Sequence, residues 1–414
     1  MLVITCIYYH NRIPQRGIVI IITLSSISSY IIVEKHKQQQ QITTTNNNNN
    51  KTKEMAIVKE TVTLDYNDLL NNDSNLLEKI AEAYGYDGLG ILTVANVPNL
   101  NESRMKLLPL ARKFADLNDD IKNKYVHKES HYSFGWSHGQ EKLQGKPDLS
   151  KGSYYANPQY DRPIDDDEVI KAHEAFVHPN IWPKDDLPEL EYAFKELGQL
   201  IVSVGTLVAK QCDVYVKSQC STYKEMKLTE IIETSKCCKA RLLHYFPQNG
   251  EDINNEDSSF SSWCGWHNDH GSITGLVSAI YMNENGDIVN NTDSEAGLYI
   301  RSRKSELVKV SIPPDHIAFQ IGETAQVHSG GILQATPHAV RGSKVPNISR
   351  ETFAVFMEPM WMEPMNTPDG IHADAAQSQS AAANLPKGVP PLTSRWELSQ
   401  TFGDFTKKTL DSYY

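Results

Sequence analysis

The sequence is poor in the features that mark several protein classes. Six cysteines occur in 414 residues (Cys6, Cys212, Cys220, Cys237, Cys238 and Cys264), and none forms a CxxC pair. A disulfide-dense secreted scaffold and a cysteine-ligated zinc module are thereby excluded, and reduced thiols in a cytoplasmic compartment are expected. Positive charge is also scarce. The net charge is −11; residues 1–54 carry +4 (six Lys or Arg, two Asp or Glu), which leaves −15 for the remainder. Nucleic-acid binding needs basic patches that displace counterions, so no nucleic-acid partner is expected, and a polybasic membrane surface is equally disfavoured. No internal repeat is found. A monomer is expected.

Long apolar runs are nearly absent. Residues 18–33, IVIIITLSSISSYIIV, follow Arg12 and Arg16 in the manner of a signal or anchor segment. The run is short for a bilayer-spanning helix and holds four serines. Low-complexity tracts follow, Gln38–Gln41 and Asn46–Asn50. Residues 1–54 are therefore read as an extension outside the fold, with a membrane or secretory role as the alternative. From Met55 the chain reads like an ordinary folded protein.

Enough is present to build a core: 40% hydrophobic and 9% aromatic residues. SNLLEKIAEAYGYDG predicts an amphipathic helix with Ser74 as N-cap and a glycine stop. LGILTVANV predicts a buried strand. SRMKLLPLARKFADL has helical spacing, with Pro109 expected to bend or break it. Residues 128–165 read as irregular, and residues 188–218 are the strongest helix candidate. After residue 238 the rhythm changes to short strand-like runs: ARLLHYF, ITGLVSAIYM, GLYIRS, LVKVSI, IAFQIG and TFAVFMEP. Such a series means a sandwich or barrel. Gln248–Asp257 reads as an acidic surface loop, and residues 394–410 as a closing helix. The expected division is an extension (1–54), an N-terminal helical region with substrate-side loops (55–235), a strand-rich core (236–362) and a C-terminal lid segment with a helix (363–414).

The sharpest chemical feature is WHNDHGSITGL. Residues two apart on a strand project to one face, so His267 and Asp269 offer an imidazole and a carboxylate side by side. A second histidine from a distant strand completes a facial triad with three open positions, as in non-haem iron(II) oxygenases. His338 is the candidate; His328 is its rival, and His270 and His316 read as structural and exposed respectively. A bare HxD is weak, but Gly271, Thr274, Arg350 and Thr352 add context. An arginine with a hydroxyl two residues on is a good cradle for a carboxylate.

These motifs resemble the 2-oxoglutarate- and iron(II)-dependent dioxygenase superfamily, and are similar to its isopenicillin N synthase-like, plant-type branch. The pattern HxDxGxxT, distal His, Arg-x-Ser is matched by His267, Asp269, Gly271, Thr274, His338, Arg350 and Thr352. GLYIRS, IAFQIGETAQVHSGG, YDGLGILTVANV and RLLHYFP resemble further segments of the branch. The resemblance spans about residues 57–414. It implies a double-stranded β-helix (jelly-roll) core with an α-rich N-terminal region: mainly β with flanking helices. It implies iron(II) on His267, Asp269 and His338, and 2-oxoglutarate on Arg350 and Thr352. O2 would be the oxidant, with ascorbate as a possible reductant. The implied reaction oxidises a small organic substrate and releases succinate and CO2. The sequence departs from the branch at Ala339, where an arginine is common, and at Phe246, where a tyrosine can bond the cosubstrate; Tyr245 or Arg241 is the substitute contact, although strand alternation sets Tyr245 on the opposite face from Phe246. Trp136, His138 and Tyr155, in an aromatic loop, are the candidates for the substrate pocket. The alternatives are an iron oxidase on the same fold that uses no 2-oxoglutarate, and a metal-free jelly-roll binding protein.

Overall fold

The computed structural model describes residues 56–71, 75–143, 146–248, 263–290, 293–377 and 385–413. The hydrophobic run 18–33, Ser74 and the acidic loop beyond Gln248 lie outside these residues. The elements used below are, in chain order, β1 (Val62–Asp65), α1 (Leu77–Tyr84), β2 (Ile91–Ala95), α2 (Leu100–Ala115), β3 (Gly135–His138), β4 (Lys151–Ala156), α3 (Glu189–Gln219), α4 (Lys227–Thr234), β5 (Lys239–Tyr245), β6 (Cys264–His267), β7 (Ile273–Val277), β8 (Ile280–Met282), β9 (Gly297–Arg301), β10 (Leu307–Val310), β11 (Ile317–Ile321), α5 (Glu323–His328), β12 (His338–Arg341), β13 (Ser349–Met357) and α6 (Phe402–Tyr413).

Two mixed sheets face each other. The larger runs β1-β2-β11-β7-β13-β5-β4-β3, with β8 also paired to β13. The smaller runs β10-β9-β12-β6, with the short strand Ile57–Val58 parallel to β10. Strand alternation gives the large sheet two apolar faces. One packs on α2 and α3 through Phe319, Phe353, Val355 and Met357. The other meets the small sheet through Leu243, Tyr245, Ala318 and Ala354, against Leu298, Ile300, Val308 and Val340. The architecture is mainly β with flanking helices, consistent with a jelly roll.

Several local expectations are revised. Pro109 sits inside α2 without ending it. The stretch 128–165, expected to be irregular, supplies β3 and β4, which extend the large sheet beyond β5. Aromatic and small residues there hid the strand period. β1 and β2 also join this sheet, so residues before 235 contribute strands as well as helices. The closing helix starts at Phe402, after a short turn at Leu392–Ser394, rather than at residue 394. The five described cysteines are free thiols, four of them buried.

Helix α3 presses closely on the large sheet where two glycines stand in for side chains. A Cβ at Gly275 would lie 2.2 Å from Ile201 Cγ2, and one at Gly205 would lie 2.6 Å from Met357 Sδ. Overpacking of this kind costs about 1–3 kcal/mol, so Gly275→Ala is expected to lower the unfolding free energy by that amount, seen as a lower urea midpoint at an unchanged m-value.

Candidate metal centre

His267 closes β6, His338 opens β12, and the antiparallel register sets the two directly opposite each other. Their ring centroids are 4.2 Å apart. Asp269 lies beyond the end of β6, so its placement comes from the turn after the strand and not from strand alternation. Its Oδ1 is 3.8 Å from His267 Nε2 and 3.7 Å from His338 Nε2. One ligand atom from each residue lies within 4.8 Å of the others. This is metal-binding spacing, and among the described residues it is the only such cluster of His, Cys, Asp and Glu.

The surroundings set protonation and tautomer. His267 Nδ1 donates to Gly265 O at 2.8 Å, which turns Nε2 toward Asp269; burial works against the charged imidazole, but Cys264 and Asp269 raise it to about 9, so a cation at Nε2 would displace a proton. His338 Nδ1 faces the Gln320 carboxamide at 2.7 Å, with Thr336 O at 3.3 Å. Gln320 is fully buried and its Oε1 has no partner. A half-turn of the amide makes Oε1 the acceptor of an Nδ1–H and again leaves Nε2 free. Burial pushes the His338 imidazole down to about 4, and His267 pushes it the same way. Burial alone would raise the Asp269 carboxyl, but the adjacent imidazoles His338 and His267 outweigh it and hold it low. Asp269 Oδ2 is buried without a hydrogen-bond partner. A neutral imidazole, an ionised carboxylate and an orphaned carboxylate oxygen fit a divalent cation of borderline hardness.

On the large sheet, β13 carries Arg350. It is 9% exposed, Nε and Nη1 have no partner, and no carboxylate pairs with it among the described residues. Its guanidinium lies over the Tyr245 ring, 5.1 Å from the centroid. Thr352, two residues on, donates to Val277 O at 3.3 Å and keeps its acceptor capacity. A buried cation with open donors is costly unless an anion meets it. Tyr245 and Arg350 are cross-strand partners on this inner face, and Lys151 extends the same row on β4. Phe246 instead packs with the helical core, T-shaped against His244.

The three aromatic-loop residues part company. Tyr155 pairs with Arg241 on the inner side, where the guanidinium lies 5.0 Å from its ring centroid and its hydroxyl donates to Glu141 at 3.3 Å. Trp136 points the other way, into the helical core beside Phe114. His138 is on that side too, 4.9 Å from Phe246. Trp136 and His138 line a separate surface hollow of about 430 Å³ with Tyr132 and Lys122. His328 is buried against Pro364 O at 3.0 Å, away from the triad. His316 is half-buried beside Asp315, not exposed.

Sequence reading missed two features. Gln320 is one; the signal was a polar residue in the apolar run IAFQI. The other is a charge-balanced cluster on the inner wall. Glu141 binds Arg241 at 2.6 Å and Lys151 at 2.9 Å, and Lys151 also pairs with Asp148. Burial works against the Glu141 carboxylate, but Arg241 and Lys151 bring it down to about 2.

Glu358 is a buried carboxyl 3.6 Å from His270 Nε2. Burial lifts it to about 7 in spite of Lys239. A folded pKa above the unfolded one gives stability that is present at low pH and lost as pH rises through 7. Glu358→Gln is therefore expected to match the metal-free wild type near about pH 4.5 and to exceed it near about pH 8. Thermal midpoints of both proteins across that range check this.

The N-terminal part, residues 61–185, matches a family model described as non-haem dioxygenase in morphine synthesis N-terminal. No curated protein matches the chain by sequence. Solved structures do match by fold. A full-length protein of Neurospora crassa, solved in complex with alpha-KG and 5-formyluracil, is 19% identical with a TM-score of 0.58, covering 84% of this chain and 94% of its own. A putative 2OG-Fe(II) oxygenase family protein from Caulobacter crescentus is 17% identical with a TM-score of 0.59, covering 87% and 100%. JOX2, in complex with 2OG, Fe and JA, is 17% identical with a TM-score of 0.56, covering 86% of each chain.

Proposed function

We propose, for a chain that by its fold and its N-terminal family signature stands with the 2-oxoglutarate/iron(II) dioxygenase superfamily, that it is an iron(II)- and 2-oxoglutarate-dependent oxygenase of a small organic substrate. The observation that carries the reading is the His267–Asp269–His338 triad, supported by a buried arginine, Arg350, whose Nε and Nη1 donors are open. Structural neighbours described with 2OG or alpha-KG and Fe support it.

His267, Asp269 and His338 would hold the iron through two Nε2 atoms and a carboxylate oxygen. Gly265 O and Gln320 fix the two imidazole tautomers. Arg350 would pair with the far carboxylate of 2-oxoglutarate, Thr352 would add its hydroxyl, and Tyr245 would support the guanidinium from its ring face. When bound, iron and 2-oxoglutarate supply oxidative decarboxylation to succinate and CO2, coupled to oxidation of a substrate C–H bond. The apolar wall of Leu243, Leu298, Ile300 and Val340 keeps water from the centre. Tyr155 and the Glu141–Arg241–Lys151–Asp148 cluster form the polar end of the wall. Its charges cancel, which suits a substrate recognised by hydrogen bonds more than by net charge. Among the described residues no helix is long and apolar enough to cross a membrane.

Incubation with iron(II), 2-oxoglutarate and a panel of small metabolites is expected to release succinate with consumption of O2. O2 uptake without succinate would sink the 2-oxoglutarate assignment. His267→Ala is expected to abolish both iron binding and turnover. Arg350→Met removes charged hydrogen bonds of about 1.5–3 kcal/mol, so the KM for 2-oxoglutarate should rise roughly 10- to 100-fold. Steady-state kinetics with varied 2-oxoglutarate read this out.

A further inference from the structure

The C-terminal segment reaches the Asp269 turn from both sides. Asn268 and His270 flank the carboxylate, and each is fixed by a contact that leads to residues 385–413. On one side Asn268 Nδ2 donates to Glu323 Oε1 at 3.0 Å. Glu323 in turn accepts a two-pronged pair from Arg395, at 2.8 Å to Oε2 and 2.7 Å to Oε1. On the other side the His270 ring stacks on Phe402, 5.6 Å between centroids and 10° between planes, and meets Phe405 edge-on at 6.5 Å.

Helix α5 joins the two sides through the backbone. Glu323 N donates to Asp269 O at 2.8 Å, Thr324 N to Gly271 O at 3.2 Å, and Thr324 Oγ1 to His270 O at 2.6 Å. Arg395 is held in place by Thr409 Oγ1 at 2.9 Å and Pro390 O at 3.0 Å, with its guanidinium over the Phe405 ring. The side chains of Arg395 and Glu323 are 1% and 2% exposed. The Asp269 carboxylate has a side-chain hydrogen bond with Thr274, while its Oδ2 has no partner, so the turn that carries it also helps to aim it.

We infer that Arg395 is a positioning residue for the metal ligand Asp269, acting through Glu323 and Asn268, and that the C-terminal segment is structurally part of the metal centre. The inference rests on the metal reading given above. Removal of Arg395 leaves a buried carboxylate unpaired. Glu323 must then turn toward another donor, and that change frees Asn268. A ligand must be held to within about 0.5 Å to keep its share of a facial set, so the loss is felt at the metal.

The test is anaerobic titration of the metal-free full-length protein with iron(II) alone, read against a colorimetric chelator. Arg395→Met is expected to weaken iron binding by roughly 10-fold, the low end of the scale for groups that hydrogen-bond a ligand directly, because it acts through Glu323 and Asn268, and Arg395→Lys by less. Leu392→Ala serves as the control. It empties a buried position in the same C-terminal apolar cluster but leaves the Glu323 pair intact. It is expected to lower the thermal midpoint yet keep iron affinity within about threefold of wild type, since its side chain takes no part in the Arg395–Glu323 and Glu323–Asn268 hydrogen bonds. Should Arg395→Met fail to fold, Asn268→Ala cuts the same relay at its other end and carries the same expectation. Wild-type affinity in the relay variants overturns the inference, as does an equal loss in Leu392→Ala. A wild-type protein that takes up no iron(II) overturns the metal reading itself, which separates the two failures.

Discussion

The antiparallel pairing of β6 with β12 is the constraint on which the rest of the site depends. It sets His267 against His338 and fixes the separation of two imidazoles without help from any cation. The third ligand is then a matter of a single turn, because Asp269 follows two residues after His267. The cost of such an arrangement is a carboxylate drawn into a buried space. The neighbouring imidazoles compensate it. The small sheet thus supplies the ligands, while the large sheet, braced by α3 at two glycines, supplies the rigid wall opposite.

That opposite wall carries charge of two kinds. Arg350 is unmatched, with open nitrogens above an aromatic ring. Arg241 and Lys151 are matched by Glu141 and Asp148. The difference matters physically. A matched buried pair gains little from a further anion, because the anion must compete with an existing carboxylate. An unmatched guanidinium gains a full charge-assisted pair. One wall therefore carries an open guanidinium at one place and a charge-balanced polar cluster at another.

Much of this was legible in the sequence, for identifiable reasons. The strands after residue 238 announce themselves by short apolar runs between turn residues, and β7, β9, β10, β11 and β13 fall where those runs stand. The triad and the Arg350–Thr352 pair were legible because their spacing is local or joins known segments. The strands β3 and β4 were not, since GWSH and KGSYYA show no clean alternation and owe their pairing to β5. Pro109 does not end its helix because its cost is local, whereas burial of Leu107, Leu108, Leu110 and Ala111 along the same helix outweighs it. The direction of Trp136 and His138 could not be read without the register that sets Tyr155 on the opposite face. Gln320 and the Glu323–Arg395 pair depend on contacts between residues far apart in the chain, which no spacing records.

The Arg395–Glu323 pair also has a meaning in the order of synthesis. Both histidines and Asp269 leave the ribosome well before Arg395 does. At roughly 5–20 residues per second, the interval between Asp269 and Arg395 lasts about 6–25 s. For that time the nascent chain holds its ligands on a turn that nothing yet clamps. The turn that carries Asp269 is therefore fully braced only once Arg395, far along the chain, has been made.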